Sequence, residues 1–238
     1  MSSGITLLKA LGVLVCGALC ASALAPPRPP QAGTNAVYKG QPFEYVVRFL
    51  AWLGCSTIVV ASMAYAVLLV LQATRRATHP VVPYLCPASS HSLDGLSAVN
   101  LRFMIGEALV VFGAMLRLLS YRALGDLFTY EIVVKDEHRV VSTGPYAYVR
   151  HPSYSGLTAL LLGTHLFFFG RGAYVTDCGI EGTPFGILVW VWRVAAPFAV
   201  VSCWRRCGIE DAQLRHRFGR AWEEYRLKVQ YSLVPLVF

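Results

Sequence analysis

Charge is scarce in this chain. Only 14% of its 238 residues are Asp, Glu, Lys or Arg, and acidic side chains number just 13. A soluble domain carries about a quarter of its residues as charges, so this supply cannot clothe a water-facing surface. The seven cysteines form no Cys-x-x-Cys pair, and Cys16, Cys20, Cys55 and Cys203 fall within or at the edge of apolar runs. A zinc site and a disulfide framework are therefore not indicated. His79 and His91 stand unpaired in a proline-rich connection and make no metal motif. Internal repeats and long low-complexity tracts are also missing, which argues against a solenoid or an extended disordered arm.

What is present is apolar. Hydrophobic residues make up 55% of the chain, and its mean hydropathy is +0.51. A membrane-spanning helix needs about 20 mostly apolar residues. Windows of that kind lie at 5–24, 49–71, 101–119, 156–169 and 185–204. The pattern predicts an all-α, polytopic integral membrane bundle of about five spans, with the last two forming a helical hairpin across "GRGAYVTDCGIEGTP". The first window also reads as the apolar core of a signal peptide, because "CASALAPP" offers a small-residue cleavage site. Residues 1–119 divide as membrane spans and linkers, and 120–238 as the region that carries the chemistry.

The basic residues flank the spans. Their net charge of +8 fits attraction to anionic lipid headgroups better than nucleic acid, because no soluble basic domain collects them. Segment 120–155 and the tail after Trp204 hold most of the Arg and Lys, which assigns that side to the cytosol. Arg75 and Arg76 then fall on the opposite side, against the trend.

Two stretches concentrate polar chemistry. In "GPYAYVRHPSYSG", residues 144–156, Pro152 is suited to a first helical turn and biases His151 toward extended backbone. His151 is thus placed at a helix mouth, where unpaired amides and Arg150 favour an anion. Gly156 permits a close backbone approach one turn later. Tyr146, Tyr148 and Tyr154 suit either stacking on a purine or sulfonium, or an interfacial aromatic belt. In "RRCGIEDAQLRHRFGRAWEEYRLKV", residues 205–229, apolar positions Ile209, Leu214, Phe218, Trp222, Tyr225 and Val229 recur at helical spacing. They predict an amphipathic tail helix lying on the membrane or folded back over the bundle. Arg206 and Glu210, four residues apart, share a helix face.

These residues carry a resemblance. "HRVVSTGPYAYVRHPSYSG" with "RCGIED" and "FGRAWEEYRLKV" resembles the isoprenylcysteine carboxyl methyltransferase family of integral membrane enzymes, over residues 138–229. The resemblance implies methyl transfer from S-adenosylmethionine to the C-terminal carboxylate of a prenylated cysteine, without a metal, at the cytosolic face of the endoplasmic reticulum. The implied partners are a farnesyl- or geranylgeranyl-cysteine protein terminus and membrane lipid. Carried over by position, His138, Tyr146, His151, Pro152, Tyr154 and Gly156 belong to the cofactor pocket, Glu210 and Asp211 close it, and Arg206 holds the substrate carboxylate. Two positions depart from the family's pattern: Tyr130 stands where relatives place a His, and "VQYSLVPLVF" replaces a Val-Pro-Arg ending.

Membrane sterol reductases, which use NADPH, share the "RHP" and "AWE" elements and are the alternative of a different reaction class. A phospholipid N-methyltransferase is the closer alternative, although an amine nucleophile gains nothing from Arg206. A non-catalytic scaffold that has kept the fold is the third.

Three further polar residues fall in apolar windows. Arg193 reads as a site residue, as the partner of an acid such as Glu107, or as a snorkelling side chain. His165 reads as an interhelical hydrogen-bonding residue, and Arg117 as one that snorkels to the interface.

Overall fold

The protein is described by a computed structural model that covers residues 3–27, 38–88, 93–130 and 139–234. Among the described residues every regular element is helical. The long helices are α1 (Ser3–Leu24), α2 (Phe43–Ala73), α5 (Leu101–Leu124), α6 (Pro152–Phe168) and α8 (Gly186–Phe218). Short helices α3 (Val82–Leu85), α4 (Asp94–Ser97) and α7 (Tyr174–Asp177) lie in the connections, and α9 (Arg220–Lys228) is the last helix.

Each boundary has a local cause. Asn100 caps α5 by accepting the Phe103 amide at 2.8 Å. Pro152 opens α6 from the first turn, as the sequence predicts, and His151 is its N-cap; at φ −126° and ψ 58° His151 is outside the helical region but not in the extended conformation expected before a proline. Gly219, at φ +49°, ends α8 in the left-handed region and lets α9 turn back.

Four helices, α1, α2, the α5 segment and α8, are long and apolar enough to cross a membrane. At 17 residues α6 is shorter, but it runs the length of α5 in the opposite direction. A methyl carbon added at Gly113 would lie 2.5 Å from the Gly156 carbonyl oxygen, and one at Gly163 would lie 2.7 Å from the Val110 amide. Glycine faces glycine there because no side chain fits between the backbones. The close approach expected of Gly156 is thus made to α5.

The predicted pairing of the last two windows is partly corrected. α6 packs chiefly on α5, and α8 meets it at fewer points, one being the Trp204 indole N–H donating to the Thr158 hydroxyl at 3.2 Å. The Phe43 and Phe198 rings, 5.7 Å apart edge to face, tie α2 to α8. Outward apolar side chains such as Leu8, Phe49, Val60 and Val194 are more than half exposed, which suits a lipid surround.

One end of the bundle is held by covalent and polar ties. Cys86 and Cys178 form a disulfide. This overturns the sequence expectation. Both cysteines lie in connections outside the apolar windows, and a pair 92 residues apart leaves no local signature. Lys9, buried in α1, donates to the carbonyls of Leu96 (2.6 Å) and Ala98 (2.7 Å). Its ammonium also lies 4.5 Å from the Phe103 ring centroid. Arg193 pairs with Glu181 and lies over the Trp190 and Phe169 rings. It therefore has a partner, and that partner is not Glu107. His165 is exposed and stacks on Phe169 at 4.9 Å, in place of the predicted interhelical hydrogen bond. The opposite end carries the polar stretches read from sequence.

Candidate active site

Three chain segments converge at that end: the turn and N-terminus leading into α6, the last turns of α8 with α9, and the start of α2. Residues 144–147 form one 3₁₀ turn, and Tyr146 buries its ring there. α8 continues without a break through "RRCGIED". The two acids therefore leave the apolar span on a rigid rod, because a 33-residue helix is about 50 Å long and overshoots a bilayer core of about 30 Å.

His151 is 6% exposed and sits between two carboxylates. Its Nε2 lies 2.7 Å from Asp211 Oδ1, and its Nδ1 lies 3.3 Å from Glu210 Oε2. Burial opposes the imidazolium, but hydrogen bonds and charge from Asp211 and Glu210 outweigh it and raise the pKa to about 9. At neutral pH the ring is therefore a buried cation. Tyr154 stacks on it at 5.8 Å and donates its hydroxyl to Glu210. Arg150 completes the set, donating from Nε to Asp211 Oδ2 at 3.1 Å and from Nη1 to the Val229 carbonyl at 2.9 Å. Two acids are thus matched by two cations.

The C-terminal departure noted in the sequence has a structural use. The Tyr231 and Ser232 carbonyls accept the Arg150 and His151 amides at 3.0 and 2.9 Å, and Ser155 donates to the Leu233 carbonyl. The amphipathic tail packs back over the bundle: Trp222, Tyr225 and Val229 cluster with Leu214 and Phe218, and the Tyr225 hydroxyl donates to the Tyr146 carbonyl at 2.9 Å.

Arg206 and Glu210 share a face of α8, but they do not pair with each other. Arg206 donates from Nε to Glu44 Oε1 at 2.8 Å and from Nη2 to Glu44 Oε2. Nη1 donates to the Tyr130 carbonyl at 3.1 Å. Both side chains of the ion pair are almost fully buried, at 4% and 2% exposure. The Phe43 ring lies 4.8 Å below the guanidinium. Two of the five guanidinium N–H groups are left over from these bonds.

Arg117 corrects the snorkelling expectation. It is 4% exposed and directs its guanidinium inward, to the Ala23 carbonyl at 2.8 Å and the Ser153 carbonyl at 3.1 Å. It also donates to the hydroxyls of Tyr121 and Tyr130. Tyr130 in turn donates to the Leu24 carbonyl. Two of the orphan carbonyls at the end of α1, those of Ala23 and Leu24, are thereby satisfied.

A cavity of about 230 Å³ joins these groups. Tyr146, His151, Tyr154 and Glu210 line its polar end, under Trp222 and Tyr225. The other end is an apolar cleft between α2 and α8, lined by residues such as Val47, Leu50, Gly54, Trp192 and Ala196. Arg206 stands where the two ends meet. Pro152, fully buried, Gly156, against α5, and Asp211, bonded to His151 and Arg150, are not among its lining residues. His138 lies outside the described residues. Sequence reasoning did not single out Glu44. A lone acid just ahead of an apolar window was the available signal. Among the described residues no group of three or more His, Cys, Asp or Glu could hold a metal.

Residues 105–178, from α5 through α7, match the model of the isoprenylcysteine carboxyl methyltransferase (ICMT) family. A probable protein-S-isoprenylcysteine O-methyltransferase of Oryza sativa subsp. indica is 30% identical over 131 residues, 54% of this chain and 59% of that one. Protein-S-isoprenylcysteine O-methyltransferase B of Arabidopsis thaliana is 31% identical over 134 residues, 56% of this chain and 58% of the relative. The Schizosaccharomyces pombe protein-S-isoprenylcysteine O-methyltransferase is 32% identical over 127 residues, 52% and 46% of the two chains. The chain thus spans less than two thirds of the length of each of these relatives. No solved structure matches. The resemblance read from "RHPSYSG" and its surroundings is matched by this similarity to the isoprenylcysteine carboxyl methyltransferase family, which spans α5, α6 and α7.

Proposed function

We propose that this chain transfers a methyl group from S-adenosylmethionine to the C-terminal carboxylate of a prenylated cysteine. The observation that carries this reading is the position of Arg206. It stands one helical turn from Glu210, at the junction of a polar, carboxylate-lined pocket and an apolar cleft that opens between two lipid-facing helices.

The residues at the polar end fit the cofactor. Glu210 lines that end and keeps 25% of its side-chain surface exposed, so lone pairs beyond those bound to His151 and Tyr154 can accept from an ammonium or ribose hydroxyls, while Asp211 stands behind it, bonded to His151 and Arg150. The Tyr146 and Trp222 rings offer faces for a purine. When bound there, S-adenosylmethionine supplies an electrophilic methyl group on sulfonium. The rest falls to the chain's own residues. A carboxylate is already ionised near neutral pH, so no strong general base is needed. Arg206 orients it, and orientation lowers such barriers by about 7–11 kcal/mol at best. The cleft between α2 and α8 takes the prenyl chain, each buried CH2 contributing about 0.8 kcal/mol. His151 and Arg150 hold the two acids in place against their mutual repulsion.

Two separate features support an orientation. A disulfide belongs to an oxidising compartment, which assigns the Cys86–Cys178 end to a lumen or the cell exterior. The site end carries Arg122, Arg139, Arg150, Arg205, Arg215 and Arg217, which supports a cytosolic side for it. Arg75 and Arg76 are the minority. An endoplasmic reticulum location fits this reading.

Calorimetric titration of the detergent-purified chain with S-adenosylhomocysteine and, separately, NADPH tests the cofactor. Saturable binding of S-adenosylhomocysteine is expected. Binding of NADPH alone would turn the same pocket into a reductase site.

A further inference from the structure

We propose that Glu44 occupies the substrate carboxylate's place in the chain alone, filling the Arg206 fork until an incoming carboxylate displaces it. This rests on the reading that Arg206 receives that carboxylate.

The geometry is that of a substrate mimic. Glu44 meets Arg206 with both oxygens in the bidentate fork that a free carboxylate would use. The pair is buried and internally neutral. A second carboxylate entering beside it would be repelled by Glu44 and would gain little from a guanidinium already compensated. Substrate and Glu44 therefore compete.

Glu44 has places to go. It lies in the first turn of α2, where the positive end of the helix dipole favours a carboxylate whether or not the fork holds it. Its own amide bonds the Gln41 carbonyl at 3.1 Å, which places the two residues within one turn. The Gln41 side chain is buried, and its Nε2 has no hydrogen-bond partner among the described residues. A buried donor without an acceptor is costly, and a displaced Glu44 carboxylate would supply one. One turn further along α2, Arg48 lies 5.8 Å from the Tyr130 ring centroid and offers a second, cationic neighbour.

The exchange gives the reaction a direction. The substrate acid competes for the fork because it is charged. Methylation removes that charge, so the ester cannot hold Arg206, and Glu44 returns and releases the product.

The test compares N-acetyl-S-farnesylcysteine with its methyl ester as ligands of the full chain, wild type and Glu44→Gln. Binding of S-adenosylhomocysteine reports an intact fold. The expected result is tighter binding of the acid in Glu44→Gln, with the ester unchanged. The gain should be about tenfold if Glu44 fills the fork about nine-tenths of the time. Weaker acid binding with cofactor binding intact would overturn the proposal and make Glu44 a permanent support of the guanidinium. Equal tightening of acid and ester would also overturn it, since that reports a wider cleft and not relief of charge competition. Where Glu44→Gln does not fold, Glu44→Asp, one methylene short of the fork, is held to the same acid-to-ester split. Arg206→Lys that binds the acid as wild type does would instead defeat the underlying reading of Arg206, independently of Glu44.

Discussion

His151 shows how one side chain organises the site. It stands at the N-cap position of α6, keeps two carboxylates together and is itself held by a backbone bond to Ser232 of the C-terminal segment. Replacing it with Ala removes charge-assisted hydrogen bonds worth about 1.5–3 kcal/mol each. His151→Ala should therefore weaken S-adenosylhomocysteine binding by about 10- to 100-fold. A variant that titrates like wild type would take His151 out of the pocket. The pH dependence has a definite sign. The folded-state pKa of about 9 lies above the ordinary 6.5, so the stabilisation is complete below pH 6.5 and disappears as pH rises through 9. Unfolding temperature should fall across that window in wild type and fall less in His151→Gln. Equal slopes would show that another group titrates there.

At the scale of helices, Arg117 and the α5–α6 glycines carry the site's rigidity. Arg117 bonds carbonyls from α1 and α6 at once. Arg117→Met leaves them unsatisfied in the interior, and should cost on the order of 3 kcal/mol, read as a lowered unfolding temperature in detergent. Gly113→Ala forces a methyl group against the Gly156 carbonyl and the Leu160 amide, at 2.5 and 2.6 Å from backbone that cannot yield cheaply. About 1–3 kcal/mol of destabilisation is expected, and a variant as stable as wild type would show that α5 and α6 can part.

The same elements mark what the sequence could and could not reveal. Apolar windows located the spans because a bilayer imposes length and composition. Pro152 located the helix mouth because proline acts on its own neighbours. Arg117, by contrast, reads from sequence as snorkelling: nothing local says that the ends of α1 and α6 arrive beside it. Arg206 and Glu210 were read as one spaced pair, yet each finds a better partner through tertiary structure, Glu44 being 162 residues from Arg206. Local chemistry was legible, and pairings between distant segments were not.

For the whole molecule, the proposed orientation puts the disulfide end in an oxidising compartment and the arginine-rich site end in the cytosol. In sealed microsomes, a membrane-impermeant maleimide should label Leu227→Cys at once and Tyr84→Cys only after permeabilisation. Both positions are well exposed, at 68% and 83%, whereas the native free cysteines are buried. The reverse pattern would invert the orientation. The proposed methyl transfer requires that polar pocket, Arg206 and apolar cleft act as one site. The most direct measurement is transfer of radiolabelled methyl from S-adenosylmethionine to N-acetyl-S-farnesylcysteine by the purified chain, with N-acetylcysteine as the unprenylated control. Base-labile label in the farnesylated product alone is the predicted result. Label that resists base, or no transfer despite bound S-adenosylhomocysteine, would contradict carboxyl methylation at this site.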